Sequence, residues 1–426
     1  TSILQNLSAA YVFPILPKET LLIPISYLYV VTIIFNLIFL RDEKNFKLTP
    51  FSYFFSFALT VFCLIKFSRF SGFGNDISAH ILVLNLFFFT IFLLEKINKK
   101  ETNLDYNFFL IIFFIICSLI PQTKPWLIVT FLVPLVLIKY LKYFNTKELY
   151  KFLIAGFFVL SIFGFNNFLK SSCFIYPLEV TCIKTSWYPK DKTHADVAVR
   201  HSQGEAWSKG WPDQKKIINH DYENFNKNFS WLKTWKKVHF KKVRDITIGF
   251  LVVLMSLLFI IGSKKKNNLN LSPFNSFLII SIILSLIWFI KFPLLRYGTS
   301  LLIANISLIC LYISFKYLSF NLKKSYTYSN FLLIICLIFF VGKNLNRIAY
   351  AKPYDRYPWP KIYSEDNKKP KFEFRKFENF KIYYRAKNDD DLVQCWYNVS
   401  PCTHFMDFLN EIEYEKNYLF HKIKIK

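Results

Sequence analysis

The sequence is poor in glycine and in acidic residues. Only 10 of its 426 residues are Gly, and 28 Asp and Glu are outnumbered by 54 Lys and Arg. It also lacks the GxGxxG, GxxxxGK[ST], HExxH and GxSxG signatures. Each signature marks a specific catalytic or nucleotide-binding geometry. These absences argue against a Rossmann-type nucleotide site, a P-loop enzyme, a zincin and an α/β-hydrolase.

Long apolar runs dominate what remains. The chain is 53% hydrophobic, contains 50 Phe and is only 19% charged. A helix needs about 20 largely apolar residues to cross a bilayer. Ten segments are predicted as spans: 21–40, 51–67, 80–95, 107–121, 126–144, 151–168, 246–262, 275–292, 299–318 and 329–342. The runs exclude a soluble enzyme, a disordered tail and an outer-membrane barrel, and favour an all-α polytopic membrane protein.

The basic residues are concentrated in alternate connections between these spans. Sixteen Lys and Arg lie in the connections 41–47, 96–100, 139–151, 264–266 and 316–324. The other short connections contain only Arg69, Lys124 and Arg296. The positive-inside rule therefore places the basic set in the cytoplasm of a bacterium, with the chain in its inner membrane. If the natural N-terminus is cytoplasmic, an odd number of spans precedes Thr1.

This topology divides the chain into four parts. Residues 1–168 form a six-helix membrane bundle and 246–342 a four-helix bundle. Residues 169–245 form a periplasmic loop domain, and 343–426 a periplasmic C-terminal domain. Alternating polarity predicts strands within 371–385 and 418–425, with a short helix at 405–414 between them. The C-terminal domain is therefore expected to be a small α+β unit.

The cysteines agree with this topology. The pairs Cys173/Cys182 and Cys395/Cys402 both lie in segments placed outside, where disulfides persist. Two disulfides are the favoured interpretation, with free thiols as the alternative. A zinc site fits less well because neither pair has CxxC spacing. The other four cysteines lie singly in predicted spans, as small buried hydrophobes: Cys63, Cys117, Cys310 and Cys336.

The loop domain is rich in tryptophan. It contains five of the nine Trp, with Trp207 and Trp211 as candidates for stacking on sugar rings. Residues 231–243 interleave Trp, Leu and Val with five Lys, a pattern typical of a helix on a membrane surface. Its basic face suits anionic lipid head groups or a lipid-linked phosphate. A simple interfacial anchor is an equally good interpretation.

Polar residues at three outer span ends are candidates for catalysis or binding. Asp76 and His80 are four residues apart, so a helix starting there presents both on one face. Asp76 suits a general base or a metal ligand, or it serves only as a helix N-cap. Lys124 needs a partner or a cavity, unless it snorkels. Arg296 suits bidentate binding of phosphate, although a structural Arg paired with Asp76 would look the same.

Several motifs carry a resemblance to a family of uncharacterised bacterial multi-pass membrane proteins. The resembling segments are 74–80 (GNDISAH), 170–187 with its two Cys, 205–212 (EAWSKGWP), 296–298 (RYG), and 394–396 with 401–403. The family resembles the GT-C glycosyltransferases. That resemblance implies a sugar on polyprenyl phosphate, transferred at the periplasmic face. GT-C enzymes usually carry their carboxylate after the first span, whereas Asp76 follows the second one here.

The resemblance also implies roles for individual residues. Asp76 becomes the candidate base, and His80 a supporting or metal-binding group. Lys124 and Arg296 become phosphate-binding residues, and the substrate-binding set is completed by Tyr297, Trp207 and Trp211. A divalent metal is compatible with this site, and the sequence requires no cofactor.

Two other functions fit the same sequence. A flippase or transporter for lipid-linked or anionic substrates accounts for the spans and the basic outer surface. A non-catalytic subunit of an envelope complex accounts for them as well. The expected partners are the lipid bilayer and a lipid-linked sugar donor, not nucleic acid, and the sequence defines no oligomeric state.

Overall fold

The computed structural model divides into two compact units, Thr1–Lys361 and Ile362–Lys426. The structure describes residues 50–66, 76–98, 106–143, 146–175, 179–183, 185, 201–211, 222–227, 229–263, 271–320, 322–350, 372–377, 380–385, 402–403, 412–416 and 421–425. The predicted span 21–40 lies outside these residues.

Helices dominate the described part of the first unit. They are α1 Pro50–Lys66, α2 Asp76–Asn98, α3 Tyr106–Thr123, a 3-10 helix Pro125–Tyr143, α4 Thr146–Ser171, a 3-10 turn Glu179–Thr181, α5 201–208, α6 Tyr222–Asn226, α7 Leu232–Val238, α8 Phe240–Ile261, α9 Ser272–Lys291, α10 Leu295–Tyr317 and α11 Leu322–Tyr350. Nine of the ten predicted apolar segments overlap a helix. Among the described residues, α2, α9 and α10 are long and apolar enough to cross a membrane.

Helix α2 is the centre of the bundle. It packs against α1, α3, the 3-10 helix, α9 and α10, and residues 78–97 are all buried. Its apolar residues are spread evenly around its axis, as expected for a helix surrounded by protein. Aromatic contacts fix its neighbours: Phe87 lies 5.1 Å from Phe277, and Phe92 lies 4.8 Å from Phe109.

One end of the bundle is organised by Glu95, in the last turn of α2. Its carboxylate accepts hydrogen bonds from the amides of Phe51 and Ser52, at 3.2 and 3.1 Å. Those amides belong to the first turn of α1, where helix donors lack internal partners and negative charge is stabilising. The Phe51 ring stacks on Phe274 and Phe315, at 4.6 and 5.4 Å. The start of α1 therefore meets the start of α9 and the end of α10.

Two further contacts occur at the same end. Lys139, near the end of the 3-10 helix, donates a hydrogen bond to Ser276 Oγ at 2.9 Å. The short strands β1 (Gly262–Ser263) and β2 (Ser319–Phe320) pair in antiparallel fashion. Among the described residues, the ends of α2, the 3-10 helix and α10 therefore meet the starts of α1 and α9 at one end of the bundle.

The turn after α3 joins it to the 3-10 helix in a tight hairpin around Pro121 and Pro125. Pro121 lies in the last turn of α3, and Pro125 opens the 3-10 helix. A proline disfavours helical geometry at the residue before it. Because Lys124 precedes Pro125, α3 ends at Thr123. Lys124 remains at the corner, with its amide bonded to Ile120 O at 3.0 Å.

Between α4 and α8, the predicted disulfide Cys173–Cys182 is present. The segment predicted as one helix over 231–243 is α7 followed by the start of α8. Its two Trp residues lie on the side that packs into the protein. Trp231 and Trp235 are buried, with rings 5.7 and 5.1 Å from Phe289. Because Trp235 Nε1 also finds a carbonyl partner inside the protein, burial satisfies both its ring and its polar group.

The second unit contains strands. β3 (Phe372–Phe377) pairs with β4 (Phe380–Arg385), which also pairs with β5 (Cys402–Thr403), and β6 (Ile412–Lys416) pairs with β7 (His421–Ile425). β3 and β4 lie within the predicted segment 371–385, and β7 lies within 418–425, whereas β5 and β6 were not predicted as strands. The helix predicted at 405–414 is wrong for 412–414, because those residues are in β6 and pair with β7. Cys395 lies outside the described residues, so its pairing with Cys402 stays a prediction.

Candidate functional site

Three of the predicted site residues meet at the other end of the bundle. Asp76 begins α2, Lys124 lies between α3 and the 3-10 helix, and Arg296 is in the first turn of α10. Lys124 Nζ ion-pairs with Asp76 Oδ1, and Arg296 Nε with Asp76 Oδ2. Lys124 Nζ also donates to the carbonyl of Arg296 at 2.8 Å. We call these three residues the Asp76 cluster.

The Asp76 cluster has a net positive charge. Two cations face one carboxylate, and α2 and α10 both begin here. The first turn of a helix carries free amide donors and the positive end of the helix dipole. Asp76 offsets only part of this charge. The arrangement therefore favours an additional anion, and phosphate oxygens suit an Arg fork in particular.

The two cations differ in exposure. The Lys124 side chain is 8% exposed and that of Arg296 is 57% exposed, with Asp76 between them at 26%. Burial lowers the pKa of Lys124 to about 8, although the Asp76 carboxylate opposes this shift and Arg296 adds to it. Lys124 is thus fixed in the protein, whereas Arg296 faces solvent.

Aromatic rings border the Asp76 cluster. The Lys124 ammonium lies 4.2 Å from the centroid of the Tyr297 ring, within the range of a cation–π contact. Trp126 and Trp207 approach Tyr297 edge-on, each at 6.4 Å. Trp207 is 47% exposed, so its face is available beside the cluster. Tyr297 and Trp207 therefore join the site that the sequence predicts for them.

Trp126 and Phe292 were missed as members of this border. Phe292 lies 5.9 Å from Trp126 and 5.8 Å from Tyr297. Trp126 Nε1 is buried with no hydrogen-bond partner among the described residues. The sequence signal that could have identified Trp126 is its position two residues after Lys124, at a span end. A cation in an apolar setting needs aromatic faces nearby as well as counter-charges.

His80 lies on α2, four residues after Asp76, and is buried in the bundle. It is 4% exposed, and its Nδ1 lies 2.9 Å from Ser300 Oγ. The Phe62 ring meets it edge-on at 6.5 Å. In the described part of the chain, no group of three His, Cys, Asp or Glu side chains could hold a metal ion. His80 thus links α2 to α10 through Ser300, and its catalytic or metal-binding role stays a prediction.

Trp211 lies in a different aromatic group from the one around Tyr297. Its ring is 5.1 Å from Tyr222 and 4.6 Å from Phe225. It therefore packs within the loop domain and is not among the described aromatic residues that border the Asp76 cluster. Trp207 lies in α5, whereas Trp211 follows the helix, after Gly210, whose φ of +83° turns the chain away from the helical path.

The loop domain holds the turn that precedes Arg296. Trp235 Nε1 donates to Pro293 O at 2.6 Å. Glu205 accepts a hydrogen bond from Lys209 at 2.5 Å and lies 3.7 Å from Lys291 Nζ. Lys209 is buried over the Trp231 ring, at 5.0 Å. Burial lowers the pKa of Lys209 and Glu205 opposes that shift. The end of α9 is thereby fixed to α5 and α7.

Two glycines permit this packing. Gly298, two residues after Arg296, lies against the Trp288 ring with no room for a Cβ atom. Trp288 Nε1 in turn donates to Leu294 O at 3.1 Å. Gly210 has φ +83° and faces the Thr234 carbonyl, a backbone conformation that favours glycine. Both therefore allow close approach around the turn that carries Arg296.

We expect Lys124 and Arg296 to differ in their effect on stability. Lys124→Gln removes the buried cation and leaves the half-buried Asp76 carboxylate without its fixed partner, which should cost about 3 kcal/mol. Arg296→Gln removes a solvent-exposed partner and should cost less than about 1 kcal/mol. Reversible denaturation of the full chain in detergent micelles would measure both losses. Equal losses would show that Arg296 is as structural as Lys124.

Comparison with protein families gives one match. A family model described as a domain of unknown function, DUF8201, matches residues 1–303, which include all three residues of the Asp76 cluster. Comparisons with curated proteins and with solved structures find no match. Because the family model covers more than half of the sequence, the chain belongs to the DUF8201 family.

Proposed function

We propose that this protein is a membrane-embedded glycosyltransferase that takes a sugar from a polyprenyl phosphate carrier during envelope polysaccharide assembly. The observation that carries the proposal is the Asp76 cluster. The cluster brings one carboxylate and two cations together at one end of an apolar bundle, and the exposed Trp207 lies beside it. A lipid-linked sugar needs the same combination: an apolar surface for the lipid, positive charge for phosphate, and an aromatic face for the sugar.

The difference in solvent exposure between Lys124 and Arg296 supports a role for Arg296 in binding. Its guanidinium is more than half exposed and holds Asp76 through Nε, so an incoming phosphate can compete for it. Lys124 stays with Asp76 because it is buried and also bonded to the Arg296 carbonyl. Phosphate binding then shifts Arg296 from the carboxylate to the ligand.

This exchange prepares Asp76 for catalysis. A carboxylate held by two cations is a poor proton acceptor, since opposite charges stabilise its ionised form. Once phosphate draws Arg296 away, Asp76 retains one cation and becomes more basic. It then takes the proton of the acceptor hydroxyl, whose oxygen attacks the anomeric carbon. The bond from that carbon to the phosphate oxygen breaks, and Arg296 and Lys124 stabilise the departing lipid phosphate.

The topology proposed with this function is a ten-span fold in the inner membrane. The Asp76 cluster, the loop domain and the C-terminal α+β domain face the periplasm. The contacts at the two bundle ends support it, because Lys139 and the β1–β2 pair lie at the end opposite Asp76. The positive-inside rule then assigns that end to the cytoplasm.

The binding step predicts a specific loss in Arg296→Gln. Removing a charge-assisted bidentate contact should weaken binding of polyprenyl phosphate about 10- to 100-fold. Native mass spectrometry of the full chain in detergent would measure the bound fraction. The matched control is Lys227→Gln, since Lys227 is also exposed and paired with a carboxylate, Glu223, and lies outside the Asp76 cluster. Equal affinity in wild type and Arg296→Gln contradicts phosphate binding at this site.

Asp76→Asn separates transfer from binding. It should bind polyprenyl phosphate at least as well as wild type, because it removes a negative charge. In a deletion strain, however, it should fail to restore the surface glycan profile. Restoration by Asp76→Asn rules out the general-base role. Loss of the glycans together with export of the lipid-linked sugar, but no transfer in vitro, would favour a flippase.

Binding should also depend on pH through Lys124. Its pKa of about 8 means that it is charged at neutral pH and loses its charge as the pH rises. The cluster then loses one positive charge, so affinity for polyprenyl phosphate should fall above pH 8. In Lys124→Arg the side chain stays charged throughout this range, and the fall should disappear. An identical pH profile for the two proteins contradicts the role of Lys124.

The orientation predicts opposite labelling of two exposed lysines replaced by cysteine. Lys227→Cys lies in the loop domain and should react with a membrane-impermeant thiol reagent in intact spheroplasts. Lys139→Cys should react only after the membrane is permeabilised. The unmodified chain gives the background from its free cysteines. The reverse pattern would invert the proposed topology.

A further inference from the structure

A second positive surface lies on the outer side of α7 and the start of α8. Six basic side chains are exposed there: Lys233, Lys236, Lys237, Lys241, Lys242 and Arg244. Apolar side chains are exposed among them, with Leu232 at 38%, Val238 at 52% and Phe240 at 41%. We call this surface the α7–α8 face.

The two helices present this surface as a nearly continuous unit. His239 N donates to Trp235 O at 2.8 Å and Val243 N to His239 O at 3.2 Å, so i to i+4 bonding continues through the junction. Trp231 and Trp235 anchor the inner side in the protein. At 1.5 Å per residue, the basic side chains are spread over about 16 Å of helix.

The charge on this face is largely uncompensated. Arg244 pairs with its neighbour Asp245 at 2.9 Å. Within the part of the chain that the structure describes, the five lysines have no carboxylate within 4.0 Å. Exposed cations of one sign attract an anionic partner over a distance of about 10 Å at moderate salt.

We infer that the α7–α8 face docks on anionic lipid head groups of the bilayer that surrounds the protein. A bilayer supplies many phosphates in one plane, which matches charge spread along a helix rather than collected in a pocket. Exposed Phe240, Leu232 and Val238 suit the interface between head groups and acyl chains, whereas a soluble polyanion offers them nothing.

The position of the face supports this occupant. Trp235, on its inner side, bonds to Pro293 in the turn between α9 and α10. Both of those helices are long and apolar enough to cross a membrane, so the turn between them lies where head groups are expected. The face is therefore held at the edge of the apolar bundle. This inference does not depend on the glycosyltransferase proposal.

The test uses the full chain and phosphatidylglycerol as the probe. In nanodiscs of phosphatidylcholine, adding phosphatidylglycerol should slow backbone hydrogen exchange in 229–245. Lys233→Gln, Lys237→Gln and Lys241→Gln combined should lower the affinity for this lipid on the order of a hundredfold, at about fivefold per lysine. The matched control neutralises three exposed lysines elsewhere: Lys227, Lys343 and Lys376.

Four outcomes decide the inference. Protection that requires phosphatidylglycerol, and that is lost in the triple variant but kept in the control, supports it. Protection that persists in Arg296→Gln also supports it, because the Asp76 cluster is then not the lipid site. No dependence on phosphatidylglycerol overturns it. Equal protection by soluble polyglutamate overturns it too, and indicates an acidic protein partner instead.

Discussion

The burial of α2 on all sides is the constraint from which the rest of the bundle follows. A helix enclosed by protein can keep charged residues at its ends only if neighbouring elements neutralise them. Asp76 and Glu95 are those residues. Asp76 ion-pairs with Lys124, which follows α3, and with Arg296 at the start of α10. Glu95 takes the first amides of α1. Each carboxylate therefore fixes where another helix begins.

The same constraint explains why the site is at the Asp76 end. Glu95 is used by the amides of one helix, and Lys96 beside it is buried near Phe92. At the Asp76 end, Arg296 is only partly enclosed, because the loop domain holds the turn before it and leaves the guanidinium in solvent. The loop domain thus supports the exposed cation through Trp235 and Pro293. One end of α2 is closed, and the other can accept a ligand.

The sequence predicted the positions of the helices better than it predicted which side chains contact one another. Apolar runs nearly as long as a membrane span specify helices with little ambiguity, because the length and hydropathy of a segment depend on that segment alone. The Asp76–Arg296 pairing was one of two interpretations, because spacing alone does not say whether a cation faces a ligand or a carboxylate. The structure shows the pairing, and it also shows that Arg296 stays exposed. A pair that is half solvated can exchange partners, so the two interpretations are compatible.

Four side chains whose packing partners the sequence did not indicate share one physical cause. His80, Trp211, Trp231 and Trp235 combine an apolar ring with a polar atom, so they suit both an interface and a core that offers a partner. Tertiary packing decides between them. Trp235 is buried because Pro293 lacks a helical partner for its carbonyl, and His80 because Ser300 lies opposite.

The two positive surfaces at this end differ in shape, and shape separates their ligands. The Asp76 cluster gathers its charge around one carboxylate beside aromatic faces, which suits a single phosphate group. The α7–α8 face spreads its charge along a helix among exposed apolar side chains, which suits a plane of head groups. Trp235 lies under that face and also bonds to the carbonyl of Pro293 in the turn before Arg296, so one side chain anchors both surfaces.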